Sequence, residues 1–189
     1  MILTSTTIQE YVDAGRIGVH PHFDPRQLRP LGIRVHLSPQ LLVADRGQLV
    51  DLTAAEAPAP RFAPHDLGAE PLDLPPGAFA LGSTLESFQV DRELACRLDG
   101  RSTLARIGLL VHCTAELIDG NHGEPRSIVL ELANVGPFTI RIGAGYPIGL
   151  VTFELTSSPV DLSREQDQYQ GQRGVVPPNF HFRAPRYQG

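Results

Sequence analysis

Hydrophobic positions beyond Phe79 come in short runs. FALGSTLESFQV, IGLLVHCTA, RSIVLELANVG, FTIRI and IGLVTFEL are separated by turn signals such as DG, NHG and GAGYP. Apolar and β-branched runs of this length, bounded by Gly, Asn and Asp, predict strand after strand. Glycine (18) and proline (17) are spread along the chain and punctuate those runs, which favours an all-β sandwich or barrel. The N-terminus has a different period. Ile8, Tyr11, Val12 and Gly15 sit at helical spacing, and Thr6 with Gln9 fits a capping box, so one short helix is predicted, ending near Gly15. The Pro- and Ala-rich stretch 54–78 predicts a surface loop, since strands resume after it. The polar tail from Ser157, with QYQGQRG followed by PP, predicts a segment that is flexible or orders on binding.

Composition narrows the partners. The chain has 189 residues, which suits one domain over 1–189 with its own core. A net charge of −5 and a pI near 5.8 argue against general affinity for nucleic acid or an anionic membrane. Basic residues must therefore matter locally. Cys96 and Cys113 are the only cysteines and form no C-x-x-C, so neither a disulfide framework nor a structural zinc site is expected. No apolar run approaches the roughly 18 residues of a membrane span. MILTSTTIQE has no basic n-region, so a cytoplasmic protein is expected.

Candidate chemistry concentrates between Asp99 and Glu131. In GRSTLAR, a helical turn from Ser102 would put Ser102 and Arg106 four apart on one face. Arg101 adds a second guanidinium at the N-terminus of that turn, where phosphate is favoured. A solvated turn with surface arginines is the plainer reading. In SIVLELANVG, Ile128, Leu130 and Leu132 share one face of a strand, and Val129, Glu131 and Ala133 the other. A carboxylate among small apolar neighbours should have a raised pKa and can exchange protons near neutral pH. The competing reading of Glu131 is an outward-facing strand residue. Asp119, before Gly120, reads equally as a turn aspartate. His112 lies inside an apolar run and reads as a satisfied core histidine. No two histidines stand at metal-ligand spacing, and the H-x-E and P-C-x-x-C patterns of zinc nucleobase deaminases do not occur.

Together these pieces resemble a known family. LDGRSTLARIGLLVH, the following TA and ID, IVLEL, the GYPIG turn and YQGQRG are similar to dCTP deaminases of the trimeric dUTPase superfamily. The likeness runs from about Phe79 to Gly174 and includes FALGSTLESF, with a weaker likeness in the N-terminal helix. The resemblance implies a distorted β jelly roll of the dUTPase-like type and a homotrimer with active sites between subunits. It implies deamination of dCTP to dUTP and ammonia without zinc, with Mg²⁺ riding on the triphosphate. It assigns Glu131 as the catalytic glutamate, and Ser102 and Arg106 as the pair that positions water and stabilises the reacting centre. Arg101 and Ser102 would also touch phosphates. Asp119 would bind the sugar 3′-hydroxyl, and Ala115 would lie near the base. His112 and Thr114 fall in the segment linked to dTTP inhibition. Tyr169 and Gln172 match a C-terminal flap, about 160–189, that closes on the nucleotide.

The chain departs from that pattern in three places. GIRVHL replaces the family's Ser-x-Asp-x-Arg-Leu, so Gly32, Arg34 and His36 stand for Ser, Asp and Arg. The family's Pro-Gly-aromatic-x-Gly after Asp119 is GNHGEPRS here, without an aromatic and about two residues longer. The flap lysine is Gln168. The leading expectation is an active deaminase of a cytosine nucleotide, with dCTP the first candidate and a ribonucleotide or modified cytosine nucleotide open. A bifunctional deaminase and dUTP diphosphatase, and a nucleotide-binding regulator without turnover, are the alternatives. His122 and Asn121 are expected to offer polar groups near the sugar.

Overall fold

FALGSTLESFQV folds as one strand, and the rest of the architecture is arranged around it. The computed structural model describes residues 1–53, 59–118, 120–164, 169 and 174–179. Helix α1 (Ser5–Asp13) comes first. Strands β1 (Ile17–His20), β2 (Leu28–Arg29), β3 (Gly32–His36), β4 (Gln40–Ala44), β5 (Phe62–Asp66) and β6 (Leu72–Leu74) lead to β7 (Phe79–Val90). Then follow β8 (Leu94–Gly100), a helical turn α2 (Ser102–Ala105), β9 (Leu109–Leu110), β10 (Leu117–Ile118), β11 (Arg126–Asn134), β12 (Ile140–Ile142) and β13 (Pro147–Leu155). One sheet has the order β5-β4-β7-β11-β9, with β1 also on β7; a second runs β10-β8-β13-β3-β2; β12 and β6 form a pair. This is the all-β architecture with a short N-terminal helix expected from the sequence.

Alternation explains the core. In β11 every second residue from Ile128 to Asn134 is buried, and β8 buries Leu94, Cys96 and Leu98 in the same period. Inward-facing side chains from the two large sheets meet between them. Phe88 of β7 and Phe153 of β13, both fully buried, pack with ring centroids 6.1 Å apart and planes tilted by 56°. Fully buried Ile8 joins α1 to this core, with Tyr11 and Val12 packed beside it.

A bulge in β7 carries a polar link between the sheets. Ser127 pairs with Ser87, and Val129 with Ser83, so two steps of β11 oppose four of β7. The Thr84 hydroxyl donates to the Glu86 carbonyl (2.6 Å) and accepts from the Ile128 N–H (2.9 Å), replacing the broken ladder bonds. Bulges re-aim side chains; here Glu86 turns inward and is only 6% exposed. Its Oε2 accepts from the His36 backbone N–H (2.9 Å), and its Oε1 lies 2.6 Å from both His36 Nδ1 and the donating Gln27 Nε2. His36 thus has a carboxylate partner.

Gly32 has an equally direct reason. A Cβ built there would stand 2.3 Å from the Val151 carbonyl oxygen of β13. Gly32→Ser is therefore expected to push β3 off β13 and destabilise the fold by roughly 1–3 kcal/mol, as overpacking does. Thermal unfolding checks this, at about 2–4 °C per kcal/mol for a chain of this size.

Three local expectations change. The helix starts two residues earlier than the Thr6 capping box required: Thr4 is the N-cap and makes no side-chain cap bond, and Gln9 Nε2 donates to Asp13 Oδ1 instead (2.9 Å). Its end is as expected, with Gly15 at φ +70°. The stretch 54–78 is not all loop, since β5 and β6 lie within it; 54–58 fall outside the described residues. Pro64 masked the signal of β5, but β5 is an edge strand paired only with β4, where a missing N–H costs no ladder bond. IGLLVHCTA supplies only two strand residues, Leu109 and Leu110. Gly108 (φ +83°) leads into that strand, where a Cβ would lie 2.3 Å from the Gly136 nitrogen. Among the described residues, no helix is long and apolar enough to cross a membrane.

Candidate active site

Glu131 sits where strand alternation puts it, on the β11 face opposite Leu130 and Leu132, and opposite Leu81 of β7. Its backbone N–H donates to the Val111 carbonyl (3.1 Å), which ties the 111–115 segment to β11. Its carboxylate Oε2 accepts from the Cys113 backbone N–H (3.1 Å). Burial raises the Glu131 pKa; the Cys113 N–H and the nearby His112 offset this only in part. Desolvation is the dominant cause, as the sequence pattern suggested. Thr114 follows at φ 76°, a costly conformation for a β-branched residue. That turn carries the chain from Cys113 to Ala115.

Glu131 and Ala115 line one cleft of about 400 Å³, a size suited to a small ligand. Phe79, Leu81, Leu117, Ile118, Ile128 and Val129 make its apolar walls. Asn121, Arg126, Ser127 and Tyr169 supply polar side chains besides Glu131, and Val176 and Pro178 border it. Tyr169 therefore joins Glu131 and Ala115, and its hydroxyl accepts from the Asn179 N–H (3.2 Å). Period two had a signal for Ser127, which shares the Glu131 face of the strand. Arg126 had none, because it stands at the junction of loop and strand.

The arginine cluster lies elsewhere on the chain. Ser102 and Arg106 bracket α2, with the Arg106 N–H on the Ser102 carbonyl (3.1 Å), so the predicted four-residue spacing is present. Both are exposed, and neither lines the Glu131 cleft. Arg101 is half-buried: its Nη1 donates to the Pro147 carbonyl (2.7 Å), and its guanidinium stands 5.8 Å from the Tyr146 ring centre. Thr114 is exposed and not part of the cleft lining. Asp119, Gln168 and Gln172 fall outside the described residues. No group of three or more His, Cys, Asp or Glu side chains is placed to hold a metal among the described residues.

One expectation about a polar residue is corrected. His112 is not a satisfied core histidine: its Nδ1 is buried with no hydrogen-bond partner among the described residues. The 121–122 side chains bond to the main chain, and Asn121 also lines the cleft. Asn121 Nδ2 donates to the Phe88 carbonyl (3.1 Å), and His122 Nε2 lies 2.8 Å from the Leu94 carbonyl. Gln89 also donates to the Gly123 carbonyl (2.7 Å), so the loop is fastened to β7 and to the start of β8. Arg34 lies on β3 opposite Leu150, away from the residues lining the cleft.

Sequence comparison places this geometry. The family model described as dCTP deaminase-like matches residues 2–156. The chain belongs to the dCTP deaminase-like family. It is 36% identical over 191 residues to a Nocardioides protein named "dCTP deaminase, dUMP-forming", covering 96% of this chain and 98% of that one. A Mycobacterium tuberculosis protein of the same name is 37% identical over 182 residues, covering 94% of each chain. The fold is also similar to the crystal structure of 2′-deoxycytidine 5′-triphosphate deaminase from Agrobacterium tumefaciens, with a TM-score of 0.62 at 15% identity. That match covers 86% of this chain and about half (50%) of the other.

Proposed function

We propose that this protein deaminates dCTP and carries the product on to dUMP. The observation that carries the deamination is Glu131: a half-buried carboxylate of raised pKa, in an apolar-walled cleft with few polar groups. Water adds to C4 of cytosine as Glu131 takes a proton from it. Glu131 passes that proton to the ring nitrogen N3 as C4 becomes tetrahedral. Collapse expels the amino group as ammonia, as Glu131 carries the proton of the new hydroxyl to the amino nitrogen, and leaves the uracil carbonyl. A carboxyl group whose pKa is raised by burial suits both directions of that transfer. The Cys113 N–H holds one oxygen and so fixes the direction of the other.

The second step, hydrolysis of dUTP to dUMP and pyrophosphate, is supported by the names of relatives that match nearly end to end. It is preferred here to the release of dUTP expected from the sequence. Ser102 and Arg106 stand on a surface outside the Glu131 cleft, which fits a homotrimer in which one subunit completes another's site. Arg101, Ser102 and Arg106 would then face the triphosphate, Asp119 and Gln172 the sugar and the closed flap, and Tyr169 the nucleotide within the cleft. A donor set of guanidinium and hydroxyl groups fits a Mg²⁺ held by the phosphate oxygens rather than by protein carboxylates. Deamination itself is proposed to need no zinc. dTTP is proposed as an inhibitor acting through the 112–115 segment, and the cytoplasmic nucleotide pool as the setting.

Product analysis tests this reading. Incubation with dCTP is expected to release one ammonia per nucleotide and to accumulate dUMP and pyrophosphate. dUTP as the end product would remove the second step, and binding without ammonia release would make the protein a regulator. Arg106→Ala is expected to weaken triphosphate binding by about 10- to 100-fold, the worth of a charge-assisted contact, with little effect on the nucleoside. Calorimetric titration with dCTP and deoxycytidine separates the two. Arg101→Ala should add a stability loss of about 1 kcal/mol, because the Pro147 carbonyl loses its donor.

A further inference from the structure

The lining of the Glu131 cleft comes from two sheets. β7 and β11 of one sheet supply part of it, Glu131 included; Ala115, Leu117 and Ile118 supply another part, and the last two form β10 of the other sheet. That second part is lightly built. β10 has two residues and stands at the edge of its sheet, paired with β8 through Leu117 opposite Arg97 and Ile118 opposite Cys96. The Leu98 N–H on the Glu116 carbonyl (2.9 Å) extends this pairing by one bond. So short an edge strand has few main-chain bonds to fix its position. Arg97 adds a side-chain hold. From the middle of β8 its Nη1 donates to Glu116 Oε1 (2.7 Å), and its Nε donates to Glu154 Oε1 of β13 (2.9 Å). One guanidinium thus ties the residue between Ala115 and Leu117 to both β8 and β13. Two carboxylates fix the direction of its planar fork, which a single exposed pair does not. Arg97, Glu116 and Glu154 are not among the described residues that line the cleft, so they act on a ligand through the 115–118 segment.

We propose that Arg97 is a positioning residue of the Glu131 cleft: by gripping Glu116 it holds the 115–118 segment in place for the nucleotide. The proposal rests on the deaminase reading of the cleft. A surface held in place before the ligand arrives avoids part of the ordering cost of binding. The effect therefore falls on affinity. The chemical step stays with Glu131, whose N–H and carboxylate are held by Val111 and Cys113. Arg97, Glu116 and Glu154 keep 39%, 51% and 29% of their side-chain surface exposed, so water screens both pairs and the effect is a few-fold one.

The test measures kcat and KM for ammonia release from dCTP, and the Kd of dCTP, in the wild-type protein, Arg97→Gln, Glu116→Gln and the double variant. Arg97→Gln is expected to raise KM and Kd about 2- to 5-fold and to leave kcat where it was. The double variant is expected to match Arg97→Gln, because residues that act through one shared contact do not add. Arg97→Lys should fall between, since it keeps the charge and loses the planar fork. Arg141→Gln serves as the control: it removes a two-bond pair with Asp73 on the β12–β6 pair, and should leave KM unchanged. Amide exchange adds a readout independent of turnover. The Leu98 N–H should exchange faster in Arg97→Gln, relative to the amides of β11. A lower melting temperature with KM and Kd unchanged would make Arg97 merely structural and overturn the proposal. Additive losses in the double variant, a fall in kcat alone, or unchanged Leu98 exchange would overturn it as well. If no nucleotide is turned over, the deaminase reading fails by itself, and the Kd of dCTP with Leu98 exchange still decides whether Arg97 holds the segment.

Discussion

Glu131→Gln is expected to lower the rate of ammonia release by about 10²- to 10⁴-fold, the usual cost of losing a general acid–base. The amide matches the carboxylate in size and still accepts from the Cys113 N–H, so nucleotide affinity should change little. Single-turnover assays beside equilibrium binding separate the two effects. Near-normal turnover would remove Glu131 from the mechanism. The same variant has a stability signature whose sign follows from the raised pKa. The buried Glu131 carboxyl binds its proton more tightly than in the unfolded chain. Its ionisation therefore costs folding energy as pH rises from the unfolded-state pKa through the folded-state pKa, and the cost then levels off. Glu131→Gln removes that cost. Relative to wild type, the variant should gain stability between acid and neutral pH, as expected where a site trades stability for function. A melting-temperature difference that did not move with pH would contradict the desolvation of Glu131.

The largest loss of stability is expected at Glu86→Ala, about 3–5 kcal/mol, because it breaks a buried polar cluster from one side. The His36 ring, the His36 backbone N–H and the Gln27 amide would all lose their acceptor at once. Since Glu86 belongs to β7 and His36 to β3, the loss loosens one sheet from the other. Denaturant unfolding monitors it. Glu86→Gln, which keeps the shape and one carbonyl oxygen, should lose markedly less. If both variants unfold at the wild-type midpoint, the cluster contributes nothing to joining the sheets.

Most strands were legible because burial on one face imposes period two, and a local pattern suffices to read it. Phe79–Val90 and Arg126–Asn134 match the runs from which they were predicted. The Glu131 orientation followed from the same alternation, as did the direction of its pKa. Elements whose existence depends on a partner were not legible. Pro64 argued against a strand that an edge position permits. IGLLVHCTA promised a long strand, yet it pairs with β11 only through Leu109 and Leu110, and a left-handed Thr114 turns the chain away.

What the amino-acid order determined by itself was the class of fold, the face of Glu131 and the Ser102–Arg106 spacing. These depend on backbone periods of two or 3.6 residues, which are properties of consecutive residues. The tertiary structure decided which of those residues share a cleft. Glu131, Ala115 and Tyr169 come together there with Arg126, whereas Ser102 and Arg106 stay on a separate exposed turn. It also decided that Asn121 and His122 turn to main-chain carbonyls, and that Glu86 meets His36 across 50 residues of chain. Such pairings arise between segments distant in sequence, where geometry alone determines which buried polar group finds a partner.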